Sequence, residues 1–355
     1  MALEIIRIRD LRNLTDCELL PHEGVNLVHG ANASGKTSLL EAIYILGRGR
    51  SFRDKQLFNA VQRGKDSFTV FGKKRKQLEN SAIGVSYSKR GASVRIDGEK
   101  VAKLSILAKE TPIHIVTPRS QEIIENGSAI RRRFLDWGVF HVEPLYQHFY
   151  SRYQRALFQR NMALRTDPRS ANLWNRELVD SGSRIEHFRE LYFSDLKQAF
   201  FSQLEMMDVD IDLELSLYRG WSSEKSLLVA LETGLSGDEN RKFTRMGPHR
   251  ADIIFRINHR KFDKWGSRGQ LKLVVLGLFF AQAKVIESLS NKEPILLVDD
   301  FAAELDKKNA ERVLKQLIGQ RNQMFITTTD RGVVTPGGAG KMFHVEHGVV
   351  SEQGV

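Results

Sequence analysis

The sequence predicts an α/β protein with a parallel-sheet head, an antiparallel β lobe attached to it, and a mainly helical arm that interrupts the head. Three observations carry this prediction. A short apolar run, a glycine-rich octet and a helical run succeed one another over residues 25–46. A second apolar run, Ile295–Val298, ends in two acids. Between them, from about residue 128 to 207, helical patterning replaces strand patterning. The boundaries that follow are 1–120 for the first part of the head with its lobe, 121–245 for the arm, and 246–355 for the second part of the head.

Taken in order, residues 3–8 read as a strand, ended by the polar pair Arg12-Asn13. Residues 25–28 are short, apolar and β-branched, as a buried strand is. The octet Gly30-Ala31-Asn32-Ala33-Ser34-Gly35-Lys36-Thr37 fits G-x-x-x-x-G-K-[ST], the loop that cradles phosphates. Residues 37–46 have helical composition and stop at Gly47. Strand, loop and helix are the context the motif requires. Glycines let backbone N–H groups close around phosphate oxygens at a helix N-terminus whose dipole favours anions. Residues 30–38, Ser38 included, are therefore the expected nucleotide ligands. Lys36 would reach the β- and γ-phosphates, and Thr37 would hold Mg²⁺.

Residues 68–71, 82–87 and 93–96 form short apolar runs separated by turn signals such as Lys89-Arg90-Gly91 and Asp97-Gly98. This predicts an antiparallel meander. Residues 113–116 are a further strand, closed by Pro118. In the arm, one long helix precedes Pro168 and a second runs from about 173 to 207, a pair suited to an antiparallel hairpin. The triplet Arg131-Arg132-Arg133 opens the arm; successive helical residues point ~100° apart, so the three do not share one face. The aromatics Phe134, Trp137, Phe140, Phe149 and Tyr153 read as core. Strands return after 211, most clearly at 251–257. A helix follows over 270–289, broken by Glu293-Pro294. Ile295–Val298 reads as a strand buried on both faces. A helix over 307–317, a strand over 324–327 and a last strand over 341–349 complete the chain.

An acid at the C-terminal end of a parallel strand lies beside the phosphate loop. Asp299 is placed to hold Mg²⁺ with Thr37, and Asp300 to orient or deprotonate the attacking water. Lys36 and Asp300 are thus the catalytic candidates.

Composition sets the partner class. The 355 residues carry 54 Lys and Arg against 43 Asp and Glu, a net charge of +11, and the pI is near 9.7. That suits a polyanion. Ten basic residues fall between Arg48 and Lys76, opposed only by Asp54 and Asp66. Among them Arg48, Arg50, Arg53, Lys73, Lys74, Arg75 and Lys76 are the candidate nucleic-acid contacts. A single cysteine, Cys17, excludes an internal disulfide and a Cys-based zinc site. No apolar run approaches the ~18 residues of a membrane span, and the N-terminus lacks the form of a signal peptide. A cytoplasmic protein without a membrane partner is expected.

Ser267-Arg268-Gly269-Gln270 opens the helix before the second acidic strand. Phosphate loop, then Ser-x-Gly-Gln at a helix start, then an apolar strand ending in acids, resembles the order of ABC-type ATPases. In that family the signature L-S-G-G-Q of one subunit closes over the γ-phosphate bound by another. Here Gly266 and Arg268 depart from it. Ala303-Glu304-Leu305-Asp306 stands where such proteins place the D-loop. The two motif groups are about 230 residues apart, which resembles the SMC-type branch. Several stretches are similar to the RecF family of bacterial recombination mediators. They are Gly49-Arg50-Ser51-Phe52-Arg53, residues 131–137, Gln159-Arg160-Asn161, Gly247-Pro248-His249-Arg250-Ala251-Asp252, residues 267–272 and residues 299–306. Ala33 stands where the family has a glycine. The usual switch histidine has no match, and Thr327-Thr328-Thr329-Asp330 occupies its region.

The resemblance implies an ATP- and Mg²⁺-dependent DNA-binding protein of repair, recombination and replication, with weak, DNA-stimulated ATPase activity. It implies a homodimer sandwiching two ATP molecules and clamping duplex DNA at single-strand gaps. It also implies RecO and RecR as partners in loading RecA, and a nucleoid-associated location. A transporter ATPase subunit is the rival, and it offers no role for the basic segment. A scaffold with a degenerate site is the other, and the presence of Lys36, Thr37, Asp299 and Asp300 argues against it.

Overall fold

The computed structural model describes residues 2–75, 80–257, 260–262, 267–301, 305, 307–318, 321–329 and 340–353. The chain divides into two compact units, residues 1–120 with 286–355, and residues 121–285. The stretch 246–285, assigned from sequence to the head, groups by contact with the second unit.

In the first unit, β1 (Ala2–Leu11) turns back at Arg12-Asn13 into β2 (Leu14–Leu19). The polar pair is a hairpin turn, and the second strand is not legible because the exposed Thr15, Asp16 and Glu18 interrupt its apolar alternation. β3 (Val25–His29) leads through the glycine-rich loop into α1 (Lys36–Arg48). After it, β4 (Phe68–Arg75), β5 (Asn80–Ser88), β6 (Gly91–Ile96) and β7 (Glu99–Lys100) form the expected meander. With β1 and β2 they make a six-stranded antiparallel sheet in the order β2-β1-β4-β5-β6-β7. α2 (Leu104–Glu110) and β8 (Ile113–Val116) follow.

α1 continues past Gly47 and ends at Gly49, which adopts the left-handed φ of 61° typical of a helix C-terminus. Gly47 is instead a packing glycine. A Cβ there would lie 2.6 Å from the Ile113 side chain and from the Thr111 carbonyl. The helix touches strands of both sheets, β1, β4 and β5 of one, β8 and β13 of the other. Leu39, Leu40, Ala42, Ile43, Ile45 and Leu46 are all fully buried, so its apolar residues run all round rather than along one stripe. Truncating Ile43 to Ala there costs about 2–5 kcal/mol.

In the second unit, α3 (Glu122–Glu125) and α4 (Ser128–Val142) precede the long pair α5 (Tyr146–Thr166) and α6 (Asn175–Met206). The pair is antiparallel: Arg152 meets Glu177 and Asp180, while Arg160, two turns further along α5, meets Asn175. Arg160 is fully buried and donates to Asp238 at 2.8 Å and Thr244 at 2.7 Å. β9 (Leu213–Tyr218), α7 (Leu227–Thr233), α8 (Leu235–Arg241), β10 (Asp252–Ile257) and β11 (Arg260–Lys261) follow, the strands forming a small antiparallel sheet ordered β11-β10-β9. Phe134 and Tyr153 are core residues, as expected.

α9 (Arg268–Ser290) carries the chain back to the first unit. Its length and mean hydropathy of 1.6 alone would suit a membrane span, but 67% of that window is buried inside the protein. β12 (Ile295–Val298), α10 (Lys307–Ile318) and β13 (Met324–Thr328) complete the alternation of strands and helices. The tail is a hairpin rather than one strand: β14 (Gly340–Glu346) turns at His347-Gly348 into β15 (Val349–Gln353). The resulting sheet is ordered β15-β14-β3-β13-β12-β8 and is parallel except for the edge strand β15. β12 is buried along its whole length.

Candidate functional site

β3 delivers Gly30 to the sheet's C-terminal edge, where a Cβ would lie 2.2 Å from the Val345 carbonyl oxygen. Only glycine fits. Gly35, at φ 126°, opens α1. Ala33 adopts φ 63°, in the left-handed region, with an alanine where glycine is the unstrained choice. Lys36 is the first residue of α1. Its Nζ donates to the carbonyls of Gly30 at 2.7 Å and Ala31 at 2.8 Å, within the mouth of the loop. Burial lowers its pKa, while Asp300 and Asp299 pull the other way.

β13 lies between β3 and β12, and the acids at the end of β12 meet α1 across it. The Thr37 hydroxyl donates to Asp299 Oδ1 at 3.0 Å, and the Thr327 hydroxyl donates to the same oxygen at 2.8 Å. Thr327 Oγ1 in turn accepts from the backbone N–H of Asp300 at 2.8 Å. Burial raises the Asp299 pKa; the bonds from Thr327 and Thr37 oppose it, Asp300 reinforces it, and Arg53 opposes it. Asp300 has a left-handed φ of 51°. A threonine hydroxyl beside a carboxylate is an all-oxygen donor set of the kind a hard cation takes. Thr37 and Asp299 therefore fit Mg²⁺.

Several residues of this site were invisible to sequence reasoning. Asn13, in the β1–β2 turn, donates from Nδ2 to the Ser34 carbonyl at 3.0 Å and accepts from Ser38 Oγ at 2.9 Å. It clips the phosphate loop from outside. Glu41 is fully buried on α1 and accepts from Arg12 at 2.8 and 2.9 Å, Ser51 at 2.5 Å and Arg53 at 3.3 Å. The one signal was an acid in an otherwise apolar helix. Thr327 was located only as the segment where a switch residue would stand.

The basic segment divides. Arg50 is exposed. Arg53 is exposed too, but pairs with Glu41 and acts on Asp299. Arg48 lies over the Tyr44 ring, 5.8 Å from its centroid. Lys73 is half-buried, and Arg75 is exposed with Glu4 3.6 Å away. Lys74 is fully buried; its Nζ donates to the Glu110 carbonyl and to Thr111 Oγ1, both at 3.0 Å. It presents no cation to solvent because strand alternation turns it inward, opposite to its neighbours. Lys76 lies outside the described residues, as do Gly266, Ala303, Glu304 and Asp306.

In the second unit, Ser267 and Gln270 form a reciprocal cap at the start of α9. Gln270 N–H donates to Ser267 Oγ at 3.2 Å, and Ser267 N–H to Gln270 Oε1 at 3.0 Å. Arg268 is exposed and Gly269 half-buried in the first turn.

The family model described as RecF/RecN/SMC N terminal domain matches residues 2–351. The DNA replication and repair protein RecF of Shewanella denitrificans is 37% identical over 99% of both chains. The chain belongs to the RecF family. The RecF of Pseudomonas syringae pv. syringae is 38% identical over 99% of this chain and 98% of its own. Among solved structures, the recombination mediator protein RecF with ATP, of the RecFOR pathway, superposes with a TM-score of 0.86 at 28% identity, covering 99% of this chain and 98% of that one. An Smc head bound to the C-winged helix domain of ScpA superposes at 0.62 with 14% identity, covering 100% and 98%, and shares the fold. The RecF family's ABC-type α/β architecture is thus the architecture of this chain.

Proposed function

We propose that the chain is an ATP-gated DNA clamp of the RecF type. Residues 30–38 bind ATP, with Thr37 and Asp299 holding Mg²⁺, which neutralises charge on the phosphates. Lys36 leaves the loop carbonyls for the β- and γ-phosphates. Asp300 orients the attacking water and accepts its proton as the γ-phosphoryl group departs. Ser267, Arg268, Gly269 and Gln270 of a second copy close over that group, so two chains sandwich two ATP molecules. Arg48, Arg50, Arg53, Lys73 and Arg75 supply the basic surface, with Arg50 and Arg75 the most open to a DNA backbone. Hydrolysis is slow and stimulated by DNA. With RecO and RecR the clamp promotes RecA loading at single-strand gaps, in the cytoplasm on the nucleoid.

The observation that supports this most is the Thr37–Asp299 hydrogen bond. It brings two motifs 262 positions apart into one oxygen-lined site beside Lys36. The test is phosphate release with and without gapped duplex DNA. Weak turnover raised by DNA and abolished in Lys36→Ala is expected. Turnover unaffected by Lys36→Ala would overturn the reading.

A further inference from the structure

The three arginines that open α4 have different roles. Arg131 is committed: it pairs with Asp252 through two hydrogen bonds of 2.7 and 3.0 Å and also donates to the carbonyls of Ile123 and Asn126. Arg132 and Arg133 instead line a cavity of about 360 Å³ in the second unit, within the usual range for a small-molecule site. α4, α5, α6 and the turn at Pro248-His249 line it, and it is open to solvent on one side.

The charges in its wall do not balance. Arg189 donates to Asp136 at 2.8 Å and to the Pro248 carbonyl at 2.7 Å, so Arg189 and Asp136 cancel. His249 Nε2 faces the Thr244 carbonyl at 2.9 Å and therefore carries the proton, while Nδ1 accepts from Tyr153 at 2.6 Å. Burial brings that histidine down to about 4, so it is neutral. Arg132 donates to the Ala251 carbonyl at 2.8 Å, and Arg133 to the Ala129 carbonyl of its own helix at 3.3 Å. Among the described residues, no carboxylate is in ion-pair range of either. Burial lowers the Arg132 pKa, Arg189 and Arg250 press it the same way, and Asp252 and Asp136 oppose them. The half-buried Arg132 and the exposed Arg133 thus line this space without an ion-pair partner, and with Arg189 they set three arginines against one carboxylate in its wall.

We propose that this cavity is a phosphate-binding site of the second unit. Its donors come from two helices, Arg132 and Arg133 from α4 and Tyr150 and Gln154 from α5. Donors converging from different directions suit a tetrahedral anion with several oxygens better than a planar carboxylate. The phosphate is that of a nucleic-acid backbone or of a small free ligand. The backbone alternative rests on the DNA-binding reading above; the site itself does not.

The test is calorimetric titration of the full chain with inorganic phosphate. The variants are Arg132→Gln with Arg133→Gln, Arg133→Gln alone, Gln154→Glu, and, as a control, Arg165→Gln, an exposed position about three turns along α5 from Gln154. Arg133 and Gln154 are exposed, so those single variants leave the Arg132–Ala251 contact intact. Each cavity variant is expected to bind phosphate roughly tenfold or more weakly, the scale of a lost charge-assisted bond, and the control to match the wild type. Salt-dependent binding of a duplex oligonucleotide then identifies the source. A salt slope lower by about 0.9 per lost contact marks a backbone phosphate, and an unchanged slope with phosphate affinity lost marks a free ligand. A wild type that binds no phosphate, or cavity variants that bind it equally well, overturns the site. So does selective loss of poly-glutamate binding, which would mark a carboxylate partner. The phosphate arm needs neither ATP nor DNA, so a failed ATPase assay and a failed cavity are separate results.

Discussion

Substituting Ala33 by Gly should stabilise the protein, against the usual direction of an added glycine. Ala33 holds φ 63° in the phosphate loop. A left-handed conformation costs a residue with a Cβ about 1–2 kcal/mol, and glycine is spared that cost. Glycine also loosens the unfolded chain, which takes back about 0.4–1 kcal/mol. The balance is a gain of roughly 0.5–1 kcal/mol. In thermal unfolding without nucleotide this corresponds to about 1–3 °C for a unit of this size. Ala33→Val is the complementary variant, since a β-branched residue tolerates positive φ least, and it should melt below the wild type. A glycine variant that melts lower than the wild type, with the valine variant unchanged, would show that residue 33 is not left-handed and refute the reasoning.

Lys74→Ala should behave as a core mutation: it leaves the Glu110 carbonyl and Thr111 hydroxyl without their donor and opens a cavity, at a cost of about 2–4 kcal/mol in urea unfolding. The salt dependence of DNA binding should stay that of the wild type, whereas Arg50→Gln with Arg75→Gln should flatten it. Asp299→Asn should raise the melting temperature of the nucleotide-free protein at neutral pH and abolish the added stabilisation by Mg²⁺-ATP. The sign follows from its raised folded-state pKa: this carboxyl favours folding fully below its unfolded value, and that contribution is lost as pH rises through the folded value. Asparagine removes the charge yet keeps an oxygen for both Thr37 and Thr327, so the gain should vanish in acid below the ordinary carboxylate range.

The half of the site proposed to bind nucleotide is legible in the sequence because its chemistry is local. Gly30 to Thr37 must be contiguous to wrap a phosphate, and Asp299 must end a buried strand to reach it. The supporting contacts were not legible because they join segments that sequence does not order in space. Asn13 reaches Ser34 and Ser38 from a hairpin turn, and Thr327 reaches Asp299 from the strand between β3 and β12. The basic run misled for a simpler reason. Charge density along a chain ignores the two-residue alternation of β4, which turns Lys74 into the core between Lys73 and Arg75. The same held for the arginine triplet, where helical geometry separated the roles of Arg131 and its neighbours but could not name Asp252 as the partner of Arg131. The tail reads as one strand from its apolar run, and the two-residue turn His347-Gly348, with positive φ at both residues, folds it into a hairpin.

The central claim is that ATP closes two copies of this chain on one another. Sedimentation velocity of Asp300→Asn, which should retain ATP by losing turnover, tests it most directly. With saturating ATP and Mg²⁺ the account predicts a species of about twice 40.5 kDa, reverting to the monomer when Ser267→Arg is added. An Asp300→Asn protein that binds ATP and still sediments as a single chain would contradict it.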